Sequence, residues 1–147
     1  MEAWIWINAY ANYARILDIG NSNGQDNILF TQESTNGKIY FEVFGGASGT
    51  TSALVKSPNA IPTGTWTHVA GVMEANGNMK LYINGALVAS NNQTAITARE
   101  ATRFNNFIGK SNWSGDALWN GRITDVRIWN VARTQAEIQA GMAIGAI

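Results

Sequence analysis

The sequence predicts an all-β fold, an antiparallel two-sheet β-sandwich of jelly-roll type with one short C-terminal helix. Three observations carry it. Short stretches of alternating apolar residues recur along the chain, clusters of Gly, Asn, Asp and Ser separate them, and no helical period appears before Thr134. A chain of 147 residues suits one domain, which at this size buries roughly 70% of its unfolded surface. No linker and no solenoid or propeller repeat divides it, so residues 1–147 are read as a single unit.

EAWIWI (2–7) sets Trp4 and Trp6 on one face and Ala3, Ile5 and Ile7 on the other, so both faces seek burial, as in an inner strand. RILDI (15–19) follows, then the loop GNSNGQDN (20–27), then the strand pattern of NILFTQ. TNG marks a hairpin before KIYFEVF (38–44). The stretch from Gly45 to Gly64 is rich in Gly, Ser and Thr, holds both prolines and one short strand, SALVK, and is expected to be the loosest part of the chain. WTHVAGVM (66–73), the turn EANGN (74–78), MKLYING (79–85) and ALVAS read as an antiparallel meander.

After a polar stretch come FNNFIGK, the loop KSNWSGDALWNG (110–121) and GRITDVRIW (121–129). Simple alternation in the last strand sends Val126 and Ile128 one way and Ile123 and Trp129 the other. Thr134 followed by Glu137 is a capping box that starts a helix, which the two glycines of AGMAIGAI are expected to continue poorly.

Composition excludes several function classes. Net charge is zero and the pI is about 6.6, so no basic field recruits nucleic acid or an anionic membrane surface. The apolar runs are a few residues long, far short of the ~20 that span a bilayer, so no membrane insertion is expected. There are no cysteines, hence no disulfides or thiolate metal sites. Met1–Glu2 opens without a secretion signal, as expected of a mature or excised piece.

The succession EAWIWI, ILDIGNSNGQDNILF, TWTHVAGVM, KLYINGALVAS, NFIGKSNWSGD and WNGRITDVRIWNVARTQAEI resembles the laminin G-like, concanavalin A-like lectin and glucanase superfamily, and more narrowly the bacterial laminin G-like modules of secreted and cell-surface proteins. The resemblance implies a jelly roll and an extracellular or cell-surface setting within a larger protein. Such modules normally begin with a further strand, of the form FDG followed closely by DY, so an N-terminal edge strand is expected to be missing here. They also usually carry Asp-Glu where this chain has Thr124 and Asp125.

The related glucanases use carboxylates in an E-x-D-x-x-E arrangement, and no such spacing occurs among the ten acidic residues, so the chain is read as no enzyme. His68, the single histidine, sits mid-strand and resembles the family's structural histidine. Zinc lacks the three or four ligands it needs. No cofactor is required by anything in the sequence. Calcium is the one candidate cation. Asp26 and Asn27, in GQDNILF, resemble the pentraxin segment whose adjacent Asp and Asn are calcium ligands; the other reading is an Asx turn bonding its own backbone.

Trp113 and Trp119 are candidate faces for stacking a pyranose, with Asn112, Asp116 and Asn120, beside Ser114, to hold its hydroxyls. The competing reading makes both tryptophans plugs at the end of the core. Two functions follow. The first is a non-catalytic recognition module that binds carbohydrate, a glycan or a cell-surface ligand, through rim loops 20–27, 45–52 and 110–121. The second is a structural or self-association domain that forms a homo-oligomer, or joins a parent chain, through an exposed sheet edge.

Overall fold

The computed structural model describes residues 1–46 and 51–145. Ten strands precede one helix: β1 (Glu2–Ile7), β2 (Arg15–Gly20), β3 (Ile28–Gln32), β4 (Ile39–Phe44), β5 (Ser52–Lys56), β6 (Trp66–Met73), β7 (Met79–Ile83), β8 (Ala86–Asn91), β9 (Asn105–Ile108), β10 (Gly121–Arg127) and α1 (Gln135–Gly145). They form two antiparallel five-stranded sheets, β10-β1-β6-β7-β8 and β5-β4-β3-β2-β9, called the first and the second sheet below. Between them lies one core built from Ile5, Ile7, Phe30, Phe41, Val69 and Leu81 among others. Residues 47–50 of the rim stretch 45–52 fall outside the described residues.

β1 is an inner strand, as its two apolar faces require, paired with β6 on one side and β10 on the other. Ala3, Ile5 and Ile7 enter the core. Trp4 meets His68 edge-on at 5.3 Å, and Trp6 meets Trp66 at 5.9 Å, on the outer face. α1 covers part of that face, with Ile138 packed against Ala70, Val72 and Tyr82. The β7–β8 turn at Asn84 and Gly85 has φ of 49° and 75°, the left-handed pair that a tight hairpin turn demands. The Asn84 side chain also accepts a hydrogen bond from the His68 backbone N–H at 2.8 Å.

Two sequence expectations are corrected here. Ile123 and Val126 do not face opposite ways; both pack against the core. β10 carries a bulge, with Glu2 opposite Arg127 but Trp4 opposite Thr124, and Asp125 adopts a φ of 49°. One extra residue resets the alternation, which a period-two reading does not anticipate. Nor do the glycines end the helix early: α1 runs through Gly141 to Gly145. A Cβ at Gly141 would lie 3.1 Å from Arg127 Nη1, so glycine lets the helix approach β10 closely enough for Arg127 to donate to the Gly141 carbonyl at 3.2 Å. The capping box forms, the Glu137 carboxylate accepting from the Thr134 N–H at 2.7 Å.

β5 lies against β7 and β8, so the opposite edges, β9 and β10, share the other side of the sandwich. Within the described sheets β9 pairs only with β2, and β10 only with β1. Exposed Phe104 precedes β9 and Ile108 ends it, while Ile128 and Val131 follow β10. A groove of about 770 Å³ opens at the end of the sandwich, reaching core residues Ile28, Phe41 and Val43 and bordered by Ile128, Trp129 and Val131.

Candidate functional site

The outer face of the second sheet carries an unusual amount of charge for a buried surface. A bulge between Arg15 and Leu17 turns Ile16 and Leu17 into the core and leaves both Arg15 and Asp18 facing outward. Cross-strand register then aligns Arg15, Thr31, Tyr40 and Lys56 in one row, and Asp18, Leu29, Glu42 and Leu54 in the next. Arg15 is 4% exposed and Asp18 is fully buried. Burial of this order requires partners.

The loop after β9 supplies them by folding across the sheet. Asp116 pairs with Arg15 at 2.9 Å, and Asp18 lies 3.4 Å from the same guanidinium. Asp18 also accepts from the Asn112 backbone and side-chain amides, both at 2.9 Å, and from the Asn27 amide at 2.6 Å. Ser111 donates to Asp116 at 2.7 Å and accepts from the Trp113 N–H at 3.0 Å, which fixes the turn carrying the indole. The Arg15 guanidinium lies 5.0 Å from the Trp113 ring centroid, and Phe44 meets the same ring at 5.8 Å.

These contacts leave a recess of about 270 Å³ walled by Tyr13, Arg15, Tyr40, Glu42, Trp113 and Asp116. Its lining is half aromatic and half charged. Tyr13, on the rim, is 38% exposed and held at a φ of 50°, a conformation that costs a bulky residue energy and that displays its ring beside the opening. Arg15 Nε is buried without a hydrogen-bond partner among the described residues. Burial pushes the Tyr40 phenol well above its ordinary range, and nearby Glu42 adds to the shift. Burial also raises Glu42, against the opposing hydrogen bond from Ser52 at 2.6 Å.

The sequence candidates divide. Asn112, Trp113 and Asp116 come together at the recess, Asn112 as the brace beneath it. Trp119 does not join them. It is partly buried against the core, its N–H donates to the Gly109 carbonyl at 2.9 Å, and its Nε1 is buried without a partner. Asn120 is exposed and joined instead to Asn8, accepting at its backbone carbonyl at 2.9 Å and at its side chain at 3.4 Å. Sequence reading missed Tyr13, Arg15, Tyr40 and Glu42, although Arg15 and Asp18 in β2 and Glu42 in β4 are charged residues among apolar neighbours.

Asp26 and Asn27 face different partners. The Asp26 carboxylate is gripped by Arg99, through Nε to Oδ1 and through Nη2 to Oδ2 at 2.8 Å, while Arg103 donates to its backbone carbonyl at 2.7 Å. Asn27 is fully buried and turned toward Asp18. So arranged, the two residues do not fit a calcium ion, which needs six to eight oxygens and no guanidinium in their midst. No group of three or more carboxylates and histidines is gathered for a metal among the described residues.

A family model described as the concanavalin A-like lectin/glucanases superfamily matches residues 1–139. The chain belongs to this superfamily. Solved structures share its fold at low sequence identity. A candidate carbohydrate-binding protein of Bacteroides ovatus aligns over 94% of the chain and 38% of its own length, with a TM-score of 0.68 and 18% identity. The heptameric SAP-like pentraxin of Limulus polyphemus aligns over 94% of the chain and 66% of its own length, at 0.67 and 19%. The CBM40 module of the Ruminococcus gnavus IT-sialidase, bound to α2,6-sialyllactose, aligns over 95% and 80%, at 0.71 and 16%. No curated protein matches the chain in sequence. Within this lectin-like frame the buried His68 is a packing residue, its imidazole edge-on to Trp4 and its pKa lowered by burial.

Proposed function

We propose that this superfamily member is a non-catalytic recognition module that holds a glycan of an extracellular or cell-surface ligand on the outer face of its second sheet. The observation that carries it is the recess itself, where aromatic walls meet a buried guanidinium, a carboxyl and a phenol hydroxyl. Sugars present an apolar C–H face and a polar rim, and this lining offers both complements. The similar structures of a candidate carbohydrate-binding protein and of a sialyllactose-bound CBM40 module support the reading. No helix is long and apolar enough to cross a membrane among the described residues.

A glycan array followed by calorimetry tests it. Saturable binding without turnover is expected, weakened at least tenfold by Tyr13→Ala, a rim change that leaves the core untouched. Binding that ignores Tyr13→Ala and Trp113→Ala alike would move the site elsewhere.

A second reading rests on a different observation, the exposed Phe104, Ile108, Ile128 and Val131 along the β9 and β10 edges. Unpaired edges with apolar flanks are surfaces for strand pairing with another chain. A concentration-dependent dimer in sedimentation equilibrium, without added ligand, would favour self-association.

A further inference from the structure

The charge balance of the recess narrows the ligand. We infer that the site, if it holds glycan as proposed above, selects uncharged pyranoses and rejects sugars that carry a carboxylate. Glu42 and Asp116 stand in the wall and Asp18 lies directly behind Arg15. Against these three carboxylates the recess offers one guanidinium, and Asp18 and Asp116 already flank it at 3.4 and 2.9 Å. The neighbouring cations do not restore the balance. Lys56, opposite Tyr40 in the sheet, is paired with Glu33, and Lys110 stands over the Phe107 ring, 4.7 Å from its centroid and outside the wall.

Geometry points the same way. A carboxylate-bearing sugar needs a guanidinium that presents its fork outward. Arg15 does the reverse: Nη1 donates to the Tyr13 carbonyl at 2.8 Å and to Thr31 at 2.6 Å, Nη2 pairs with Asp116, and its Cζ lies over the Trp113 ring, 5.0 Å from the centroid. What the recess turns toward a ligand is the Tyr40 hydroxyl, the Glu42 carboxyl beyond its bond from Ser52, and the Tyr13 ring. Those groups suit neutral hydroxyls and a C–H face. Burial raises the Glu42 carboxyl, against the opposing bond from Ser52.

The test is an array carrying neutral hexose oligosaccharides, lactose among them, beside their sialylated and uronic-acid counterparts, read with the native chain and with Glu42→Gln. Binding to neutral members, with acidic counterparts at least tenfold weaker and gaining about three- to tenfold in relative affinity on Glu42→Gln, is the expected result. Acidic glycans bound as well as neutral ones would overturn the selectivity while leaving the glycan site standing. Silence across the whole array, with the variant folded and equally silent, would overturn the site and the selectivity together.

Discussion

Arg15 places its guanidinium 5.0 Å from the ring centroid of Trp113, and this stack fastens the loop after β9 to the outer face of the second sheet. The same side chain is ion-paired to Asp116 and lies close to fully buried Asp18. Removing it would leave Asp18 as a buried charge without its counter-ion, a change that typically costs 3–5 kcal/mol. Arg15→Met is therefore expected to lower unfolding free energy by about that much in urea titrations. Adding Asp116→Asn should cost less than the sum of the two single changes, because both act on one network. Strict additivity would show that the pair is incidental.

Asp26 and Arg99 make the clearest pH-dependent contact. The hydrogen bond from Arg99 holds the Asp26 carboxyl below the usual carboxylate range. A depressed carboxylate contributes stability that is fully present above its unfolded value, about 4, and is lost as pH falls through the folded value. Arg99→Ala should thus lower Tm at pH 6, with the gap to the native chain closing below pH 4. A gap constant with pH would refute this account. Millimolar calcium should leave the native Tm unmoved while Arg99 occupies the carboxylate, and a rise of several degrees would show that the guanidinium yields to the ion.

His68 works in the opposite part of the pH scale. Burial lowers its pKa below 6.5, with Glu2 and Asp125 opposing and Arg127 and Arg133 adding to the shift. Below pH 6.5 the unfolded chain takes up a proton that the folded imidazole resists, so stability is greatest above that value and declines as pH falls toward the folded pKa. His68→Gln should flatten the decline between pH 6.5 and 5, measured as the difference in Tm between variant and native chain. An unchanged slope would mean that the decline belongs to other groups.

What the sequence disclosed follows from which signals are local. The alternation in EAWIWI and WTHVAGVM, the Asn84–Gly85 turn and the Thr134–Glu137 capping box are set by neighbours within a few residues, and each appears where it was read. The bulges are not of that kind. The extra residue in β2 that turns Arg15 and Asp18 outward together, and the one at Asp125, depend on register with a partner strand distant in sequence. The recess was illegible for the same reason, since its wall joins β2, β4 and the loop after β9. Of the loop candidates, Asn112, Trp113 and Asp116 reach it because that loop folds across the sheet, whereas Trp119 turns back into the core.

That division of the two tryptophans supplies a last comparison. Trp119 packs against the core, and Gly121 beside it has no room for a side chain, because an added Cβ would overlap the Trp6 backbone carbonyl. Trp113 lies on the outer face and closes the recess over Arg15. Truncating a packed aromatic costs about 3–5 kcal/mol, so Trp119→Ala should strongly destabilise the fold, while any glycan affinity per folded molecule stays within about twofold. Trp113→Ala should have the reverse profile, a smaller loss of stability, roughly 1–2 kcal/mol from the forfeited stack, and at least a tenfold loss of binding. Thermal unfolding and calorimetry on both variants read the two axes separately. If Trp119→Ala abolished binding in a chain that remained folded, the recognition face would have to be sought at the β9–β10 edge rather than on the second sheet.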